Sequence, residues 1–241
     1  MTGTGDPVVG PDVVPRGLAF LGCGDAAEMH SKTVAGLDPG RPRYFASRDG
    51  SKARSFADRL GGAGAFEGYE AALNDDDVDA VMVVTPPSSH LEWTLAALDA
   101  RKHVIVEKPA FPSSSDFDAV EEAARRAGRH VLVAENYAYK PLVADLRWLF
   151  EKRPLGRLLF LQVNALKRQD ARGWRTDPAE SGGGALMEGG IHWVSLLSTA
   201  GPAVTSVRAL SPSRDREPER SIQLLFEYEQ GTVAAHFSNF S

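Results

Sequence analysis

A glycine-rich turn between an apolar strand and a helix constrains this chain more than any other sequence feature. The apolar run LAFL, residues 18–21, is followed at once by GCGDAA, residues 22–27, which has the form G-x-G-x-x-A. The glycines permit a tight turn and close backbone approach, and the N–H groups of the following helix attract a pyrophosphate. The segment predicts a dinucleotide-binding turn, and the alternative is an ordinary strand-to-helix turn. The predicted contacts are Gly22, Cys23, Gly24, Ala26 and Ala27.

Strand and helix patterns alternate from residue 17 to residue 139. The strand candidates are LAFL, RYFAS, DAVMVVT, HVIVE and RHVLVAE. The helix candidates between them are Met29 to Leu37, SKARSFADRLG ending at Gly61, EAALNDD, WTLAALDARK, and DFDAVEEAARRAG closed by Gly128. Strands that are apolar throughout and alternate with helices indicate a parallel sheet covered on both faces. Residues 17–139 are therefore predicted to form a doubly wound α/β domain that binds a dinucleotide.

The pattern changes after residue 139. The segment KPLVADLRWLFEKR predicts a helix that Gly156 ends. Its apolar face consists of Leu142, Val143, Leu146, Leu149 and Phe150. Longer strand candidates follow, RLLFLQVNALKR, VTSVRAL and SIQLLFEYEQGTVAAHFSNF, and the last has an EQGT turn typical of an antiparallel hairpin. Residues 140–241 are predicted to form a second, α+β domain.

Composition excludes several classes of protein. The chain has 241 residues, 43% of them hydrophobic, which is enough for a sizeable core. Its 27 basic and 32 acidic residues give a net charge of -5, so neither a nucleic acid nor a membrane surface is an expected partner. Residues 1–16 are rich in Gly, Pro and Asp and have no sustained period, which predicts a flexible leader, and they lack the basic and apolar regions of a signal peptide. The single cysteine, which cannot form an internal disulfide, and the lack of signal-peptide features predict a cytoplasmic protein. No apolar run of about 18 residues predicts a membrane-spanning helix, and no metal site is predicted.

The end of the second predicted strand indicates which dinucleotide binds. NAD-selective sheets present an acidic residue there to the ribose 2′-hydroxyl, whereas this chain has Ser47 and Arg48. A hydroxyl and a guanidinium suit a 2′-phosphate, because arginine donates a charge-assisted fork. We predict NADP(H) as the preferred cofactor, with NAD(H) possible through Asp49, which follows directly. The alternative for Arg48 is a solvated surface side chain.

Two further predicted strands end in polar sequence. TPPSSH, residues 85–90, follows DAVMVV, and Glu107, Lys108 and Pro109 follow HVIV. The carboxyl ends of parallel strands meet at one edge of the sheet, where ligands bind in open α/β folds. Pro109 favours an extended Lys108, and a lysine in a partly closed cleft is a candidate proton donor and acceptor. The alternative is an ordinary surface pair of Glu107 and Lys108.

A glycine-rich segment later in the chain carries an acid and an imidazole. If SGGGALMEGGIHW, residues 181–193, is helical from Ala185 onward, Glu188 and His192 lie four residues apart on one face. Glycines inside a helix cost about 1 kcal/mol each relative to alanine, so they indicate close approach of a ligand or another backbone. By itself, a helical histidine is more often structural. A polar, aromatic stretch precedes this segment and either lines the pocket or, as is more common, forms a solvated loop; it contains Arg168, Arg172, Trp174 and Arg175.

Four motifs in this order, GCGDAAEMH, TPPSSH, VIVEKP and GGGALMEGGIHW, resemble the Gfo/Idh/MocA oxidoreductase family, named for glucose-fructose oxidoreductase and inositol dehydrogenase. The resemblance runs from Gly17 to about the end of the chain. It implies an N-terminal Rossmann domain and a C-terminal α+β domain with an open, mostly antiparallel sheet. It also implies hydride transfer between a nicotinamide cofactor and a hydroxyl or keto group of a sugar, cyclitol or sugar derivative.

The resemblance implies roles for the matching residues. Lys108 would be the central proton relay and the contact for a substrate hydroxyl, and His192 would be the general acid or base beside the carbon that exchanges hydride. Glu188, where many members have an aspartate, would orient this pair or a substrate hydroxyl. Glu107 would help hold Lys108 and the nicotinamide end of the cofactor. The cofactor channel would be lined by Thr85, Pro86 and His90.

The chain stops at Ser241, just after the predicted hairpin, whereas the family commonly continues with further strands and helices. We therefore expect residues 140–241 to be an incomplete version of the family's second domain. A bare hairpin strand exposes unpaired backbone groups, which predicts a homo-oligomer formed through the C-terminal sheet. Two other functions stay open: a redox-neutral nicotinamide-dependent glycosidase or lyase, and a truncated, non-catalytic cofactor-binding or regulatory protein.

Overall fold

A computed structural model describes residues 16–168, 172–212 and 219–240, so all of the predicted leader except Arg16 lies outside the described residues. The described chain folds into two compact units. The first contains residues 16–85, 92–106 and 118–132, and the second contains residues 86–91, 107–117 and the chain from Val133 onward. In the part of the chain that is described, no helix is long and apolar enough to cross a membrane.

The sheet of the first unit has six strands in the order β3-β2-β1-β4-β5-β6. These strands are β1 (Leu18–Leu21), β2 (Arg43–Ser47), β3 (Gly64–Glu67), β4 (Ala80–Val83), β5 (His103–Val106) and β6 (Val131–Val133). The pairs β1–β2, β1–β4, β2–β3 and β4–β5 are parallel. This is the strand order of a Rossmann fold, so the predicted doubly wound sheet is confirmed. Strand β3 was not predicted, because it is short and its residues are at most partly buried.

Helices alternate with these strands along the chain. They are α1 (Asp25–Leu37), α2 (Gly50–Leu60), α3 (Tyr69–Leu73), α4 (His90–Asp99) and α5 (Ser114–Ala127). Helix α1 begins at Asp25 rather than at the predicted Met29, because the chain turns directly into the helix after Gly24. The acidic residues Asp25 and Glu28 in its first turn suit the positive end of the helix dipole. Helix α2 ends as predicted at Gly61, which has a φ of 65°.

The second unit contains a mixed four-stranded sheet in the order β7-β10-β9-β8. Its strands are β7 (Phe160–Lys167), β8 (Val204–Leu210), β9 (Ser221–Tyr228) and β10 (Val233–Phe240). Strand β9 is antiparallel to both β8 and β10, which confirms the predicted hairpin, whereas β7 and β10 are parallel. The helices of this unit are α6 (Pro141–Lys152), α7 (Pro178–Ser181) and α8 (Ile191–Ala200).

The core of the second unit lies between its sheet and helices α6 and α8. The buried side chains are Val143, Leu146 and Phe150 of α6, Leu196, Leu197 and Ala200 of α8, and Ile222, Leu224, Phe226, Tyr228 and Ala234 of the sheet. Leu142, predicted to share the apolar face of α6, is instead exposed. Helix α6 also ends at Lys152 and not at Gly156. Arg153 takes the left-handed conformation there, and its guanidinium donates to Gln230 Oε1 at 2.7 Å.

Candidate functional site

The glycine turn of the first unit follows β1 directly. Gly22 has a φ of 117°, and its N–H donates to the carbonyl of Ala46 at 3.0 Å. A Cβ at Gly22 would lie 2.9 Å from the Val84 carbonyl oxygen, so this position requires glycine. The turn therefore lies against the end of β4, where the strand order reverses and where doubly wound sheets bind their ligands. Thr85, the next residue along from Val84, is buried.

The start of α1 fits the pyrophosphate of a dinucleotide. Gly24 is the N-cap, and a Cβ built there would meet nothing within 4 Å, so space is open above the backbone. Residues Ala26 and Ala27 lie in the first turn, whose N–H groups have no partner within the helix. Cys23 is buried, and burial, only partly offset by Lys52, raises the pKa of its thiol to about 11. Cys23 is therefore a neutral packing residue of the turn.

At the end of β2, the Arg48 side chain is exposed and the Asp49 carboxylate is engaged in a helix cap. Ser47 is buried, and its Oγ accepts a hydrogen bond from the Asp49 N–H at 3.2 Å, while Arg48 is exposed. The Asp49 carboxylate caps α2, where Oδ1 accepts from the Ser51 N–H at 2.9 Å and from the Ser51 hydroxyl at 2.6 Å. The Ser51 hydroxyl, together with backbone N–H groups, lowers the pKa of Asp49. The cap directs Asp49 to its own helix.

In the second unit, the segment after β4 contacts the segment after β5. His90 is 1% exposed, and its Nδ1 donates to the Pro109 carbonyl at 2.9 Å. Pro86 is half-buried. The Glu107 carboxylate accepts from the Lys108 N–H at 2.9 Å, so Glu107 contacts the backbone of Lys108, and the peptide bond between Lys108 and Pro109 is cis.

Lys108 reaches the glycine-rich segment through its side chain. Its Nζ donates to the backbone carbonyl of Glu188 at 2.6 Å. The segment is helical, but Leu186–Gly190 forms a π-helical turn before α8, which differs from the regular helix predicted from Ala185 onward. The Glu188 carboxylate pairs with Arg175 Nε at 3.0 Å. An ammonium has three N–H donors, so Lys108 keeps donors for other acceptors.

His192 is held by a carboxylate that the sequence analysis did not select. Its Nδ1 lies 2.8 Å and 2.9 Å from the two carboxylate oxygens of Glu135. Both side chains are largely buried, at 17% and 13% exposure. The Tyr137 ring stacks on the imidazole, with ring centroids 4.6 Å apart and planes 16° apart. Glu135 therefore fixes one edge of the imidazole, and Tyr137 covers one face.

We call Lys108, Glu135, Tyr137, Glu188, His192 and Arg175 the cluster, and Glu135 is a member whose pKa is shifted. Burial raises the pKa of its carboxyl, but the hydrogen bonds from His192 and from the Tyr137 N–H, together with the charges of His192 and Lys108, lower it below its usual value. Glu135 is therefore ionised at neutral pH. Among the described residues, no group of three or more histidine, cysteine, aspartate or glutamate side chains is arranged to hold a metal ion.

Both halves of the chain match one known family. Residues 16–135 match the domain described as "Oxidoreductase family, NAD-binding Rossmann fold", and residues 143–241 match the "GFO/IDH/MocA C-terminal domain". The chain belongs to the Gfo/Idh/MocA oxidoreductase family. The resemblance inferred from the four sequence motifs is thereby confirmed.

Similar proteins come from bacteria and archaea. The D-xylose 1-dehydrogenase (NADP(+)) 2 of Haloferax volcanii is 32% identical over 81% of this chain and 61% of that protein. The dTDP-3,4-didehydro-2,6-dideoxy-alpha-D-glucose 3-reductase of Actinomadura kijaniata is 30% identical over 91% of this chain and 67% of that protein. The solved structure of an NAD-binding protein from Listeria innocua has a TM-score of 0.83 at 27% identity, and the match covers 94% of this chain and 67% of that one. The chain spans between 57% and 61% of the length of three curated relatives that it matches, one of which is the Haloferax volcanii protein.

Two glycines in and beside the π-helical turn, Gly190 and Gly184, lie close to other parts of the second unit. A Cβ at Gly190 would lie 2.9 Å from Ser238 Oγ of β10. A Cβ at Gly184 would collide with the backbone of Glu219, whose carboxylate also accepts from the Leu186 N–H at 2.9 Å. Gly184 lies just before the helix that was predicted from Ala185 onward, and the backbone of Glu219 approaches it closely. Glu219 thus anchors the turn that carries Glu188.

Three residues of the cluster were missed or set aside in the sequence analysis. Glu135 follows β6 along the chain, and the rule that selected Glu107 at the end of β5 would have selected it too. Tyr137 gave no signal, because its position beside His192 depends on the tertiary fold. Arg175 belonged to a stretch with two readings, and its guanidinium pairs with Glu188.

Proposed function

We propose that the protein is a nicotinamide-dependent oxidoreductase that interconverts a hydroxyl and a keto group of a sugar, cyclitol or sugar derivative. The observation that carries this proposal is the position of the Lys108 ammonium. It donates a hydrogen bond to the backbone carbonyl of Glu188, and Glu188 is four residues before His192 in the sequence. The Lys108 ammonium and the His192 imidazole therefore meet at the same glycine-rich segment. Oxidation of an alcohol needs such groups, because the hydroxyl proton must leave as the carbon is oxidised.

The names of two relatives support the substrate class. The Haloferax volcanii relative is named as a dehydrogenase of D-xylose, and the Actinomadura kijaniata relative as a 3-reductase of a dTDP-linked keto sugar. Both names describe a hydroxyl or keto group on a sugar. The proposal covers this class of reaction and leaves the individual substrate to experiment.

The backbone of residues 22–27 would hold the pyrophosphate of the cofactor, for which Gly24 leaves open space. When bound, the nicotinamide supplies the hydride chemistry at the substrate carbon. In the oxidative direction His192 accepts the hydroxyl proton, and the Lys108 ammonium donates a hydrogen bond to the same oxygen as negative charge develops on it. Glu188 orients Lys108 through its carbonyl. The other predicted contacts, Thr85, Pro86, His90 and Glu107, belong to the cofactor site in this proposal.

NADP(H) is the cofactor that we propose as preferred. Arg48 is exposed at the end of β2 beside the buried Ser47 hydroxyl, and a guanidinium suits a 2′-phosphate. Asp49, the candidate partner for the 2′-hydroxyl of NAD, has its carboxylate engaged as the cap of α2. The name of the Haloferax volcanii relative also contains NADP(+).

We also propose that the protein is cytoplasmic and forms a homo-oligomer through the sheet of its second unit. Phe160 and Leu166 lie on one face of β7 and are more than half exposed, as is Leu210 of the opposite edge strand. Such apolar surface on a sheet is often covered by another subunit. Sedimentation of the purified protein tests this part, and a monomer across the accessible concentration range would contradict it.

A coupled measurement of cofactor and product tests the proposed reaction. The protein is incubated with NADP⁺ or NADPH and a panel of sugars, cyclitols and keto sugars, while the absorbance band of reduced nicotinamide is followed and products are analysed. The proposal predicts net conversion of the cofactor in step with substrate. Product without net cofactor conversion would instead support the redox-neutral glycosidase or lyase, and cofactor binding without turnover of any substrate would support the non-catalytic alternative.

A further inference from the structure

The contact between Glu135 and His192 determines which imidazole nitrogen is available for proton transfer. Both oxygens of the carboxylate lie within 2.9 Å of Nδ1. An ionised carboxylate only accepts hydrogen bonds, so Nδ1 must carry the hydrogen. In neutral His192 the lone pair is therefore on Nε2, on the far side of the ring from Glu135.

The Glu135 carboxylate is itself held in place by a neighbouring backbone N–H group. Glu135 Oε1 accepts from the Tyr137 N–H at 2.8 Å, as the cap of the 3₁₀ turn Asn136–Tyr139. The Tyr137 ring that stacks on His192 belongs to the same turn, and the edge of Trp193 packs against it with centroids 5.0 Å apart. One short turn thus fixes both the plane of the imidazole and its rotation within that plane.

Other charged side chains lie around the contact between Glu135 and His192. The Lys108 ammonium contributes a positive charge near Glu135. The Lys140 ammonium lies 3.4 Å from the centroid of the Tyr137 ring. The Glu188 carboxylate is paired with Arg175. A positive charge that forms on His192 is therefore compensated by Glu135.

We propose that Glu135 is the positioning residue of His192: it holds the Nδ1–H tautomer, directs Nε2 to the substrate hydroxyl, and stabilises the imidazolium that forms when His192 accepts the proton. This inference rests on the proposed function, because it assigns the proton to His192. The O–H bond of the substrate breaks, the proton binds Nε2, and the Nδ1–H bond stays intact while it donates to Glu135. The imidazolium later releases the Nε2 proton to solvent, or returns it to the substrate in the reductive direction.

The tautomer can be measured without activity. Nitrogen-15 NMR of protein labelled at its six histidines distinguishes the two ring nitrogens, and the His192 signals are assigned by their absence in His192→Asn. In neutral His192 of the wild-type protein we expect Nδ1 protonated and Nε2 unprotonated, and in Glu135→Gln we expect a mixture of the two neutral tautomers. A neutral wild-type imidazole with Nε2 protonated and Nδ1 unprotonated would overturn the inference, as would an unchanged tautomer in Glu135→Gln.

Kinetics then test the consequence for proton transfer. General acid–base catalysis contributes about 10²- to 10⁴-fold, and we expect Glu135→Gln to lose roughly 10- to 100-fold in kcat, a part of that contribution. The KM and the cofactor Kd should change little, and Glu135→Asp should recover part of the loss because it restores the charge. The matched control is Glu121→Gln, which removes an exposed carboxylate of α5.

The two readouts separate the inference from the function on which it rests. Unchanged kcat in Glu135→Gln would overturn the positioning role. Equal loss in Glu135→Gln and Glu135→Asp, with a lowered unfolding temperature in both, would also overturn it, because it would show that the residue only stabilises the turn. The expected tautomer in a protein that turns over no sugar, cyclitol or keto sugar would uphold the contact and contradict the proposed function.

Discussion

The side-chain ammonium of Lys108 donates a hydrogen bond to the backbone carbonyl of Glu188 at 2.6 Å, across 80 residues of sequence. Because the acceptor is a backbone atom, this contact does not depend on the length of the side chain at position 188. The glutamate that stands where many members of the family have an aspartate is thus compatible with a correctly held lysine. The Glu188 side chain is separately engaged by Arg175.

Replacing Lys108 by methionine should abolish turnover and spare cofactor binding. Lys108→Met keeps the length of the side chain but removes the ammonium that we assign to the substrate oxygen, and we expect a loss of about 10²-fold or more in kcat. Steady-state kinetics and a cofactor titration measure the two effects. The matched control is Lys32→Met, at an exposed lysine of α1. Full activity of Lys108→Met would refute the role of Lys108.

Two glycine variants should separate cofactor binding from folding. A Cβ at Gly24 meets no protein atom within 4 Å, so Gly24→Ala should cost at most about 1 kcal/mol of stability as a poorer helix cap, yet it fills the space assigned to the pyrophosphate. We expect weaker binding of NADPH by Gly24→Ala. Gly22→Ala should instead destabilise the fold, because of its positive φ and the nearby Val84 carbonyl. Unchanged affinity in a folded Gly24→Ala protein would count against this cofactor site.

Arg48→Gln should reduce the preference for NADPH over NADH. A hydrogen bond to a charged group contributes about 1.5–3 kcal/mol, so we expect the ratio of the two Kd values to fall roughly 10- to 100-fold, with NADH affinity little changed. Fluorescence titrations with each cofactor measure the ratio. Arg54→Gln, at an exposed arginine of α2, is the control. An unchanged ratio would indicate that Arg48 is a solvated side chain.

His236 should make the second unit less stable in acid. Burial lowers its pKa from the ordinary 6.5 to about 4, although the Val163 backbone partly opposes this. The unfolded chain binds the proton first as the pH falls, so stability that is present above pH 6.5 is lost down to about pH 4, up to about 3 kcal/mol in all.

NMR titration of His236 in the wild-type protein tests the pKa directly, and urea unfolding of wild type and His236→Gln tests its effect on stability. The variant should show a weaker dependence of its unfolding free energy on pH, since it lacks the group that titrates. His236 signals that titrate near 6.5 would contradict this prediction.

Much of the fold follows from local sequence. The continuously apolar runs at β1 and β4 are buried on both faces of the first sheet, and the glycines after β1 mark its ligand-binding turn. The exposed end of α6 was harder to place, because Arg153 adopts a conformation that usually indicates glycine. The β3 strand was missed because its four residues, GAFE, are too few and too mixed to produce an alternating pattern.

The candidate site was predictable only in part. Lys108 and His192 were found from their motifs, whereas Glu135 and Tyr137 act through contacts with a residue more than fifty positions later in the chain. The π-helical turn at Leu186–Gly190 was also not predictable, because it depends on Glu219 and Ser238, which approach from distant strands and loops. Long-range contacts of this kind leave no periodic signal in the sequence.

A fluorescence titration of the purified protein with NADPH and, separately, with NADH is the first test of whether this chain is a nicotinamide-dependent oxidoreductase. We expect saturable binding of both cofactors, with a lower Kd for NADPH, and a higher Kd for each cofactor in the Gly24→Ala variant. Failure of the folded protein to bind either cofactor would contradict the account and would favour a non-catalytic protein.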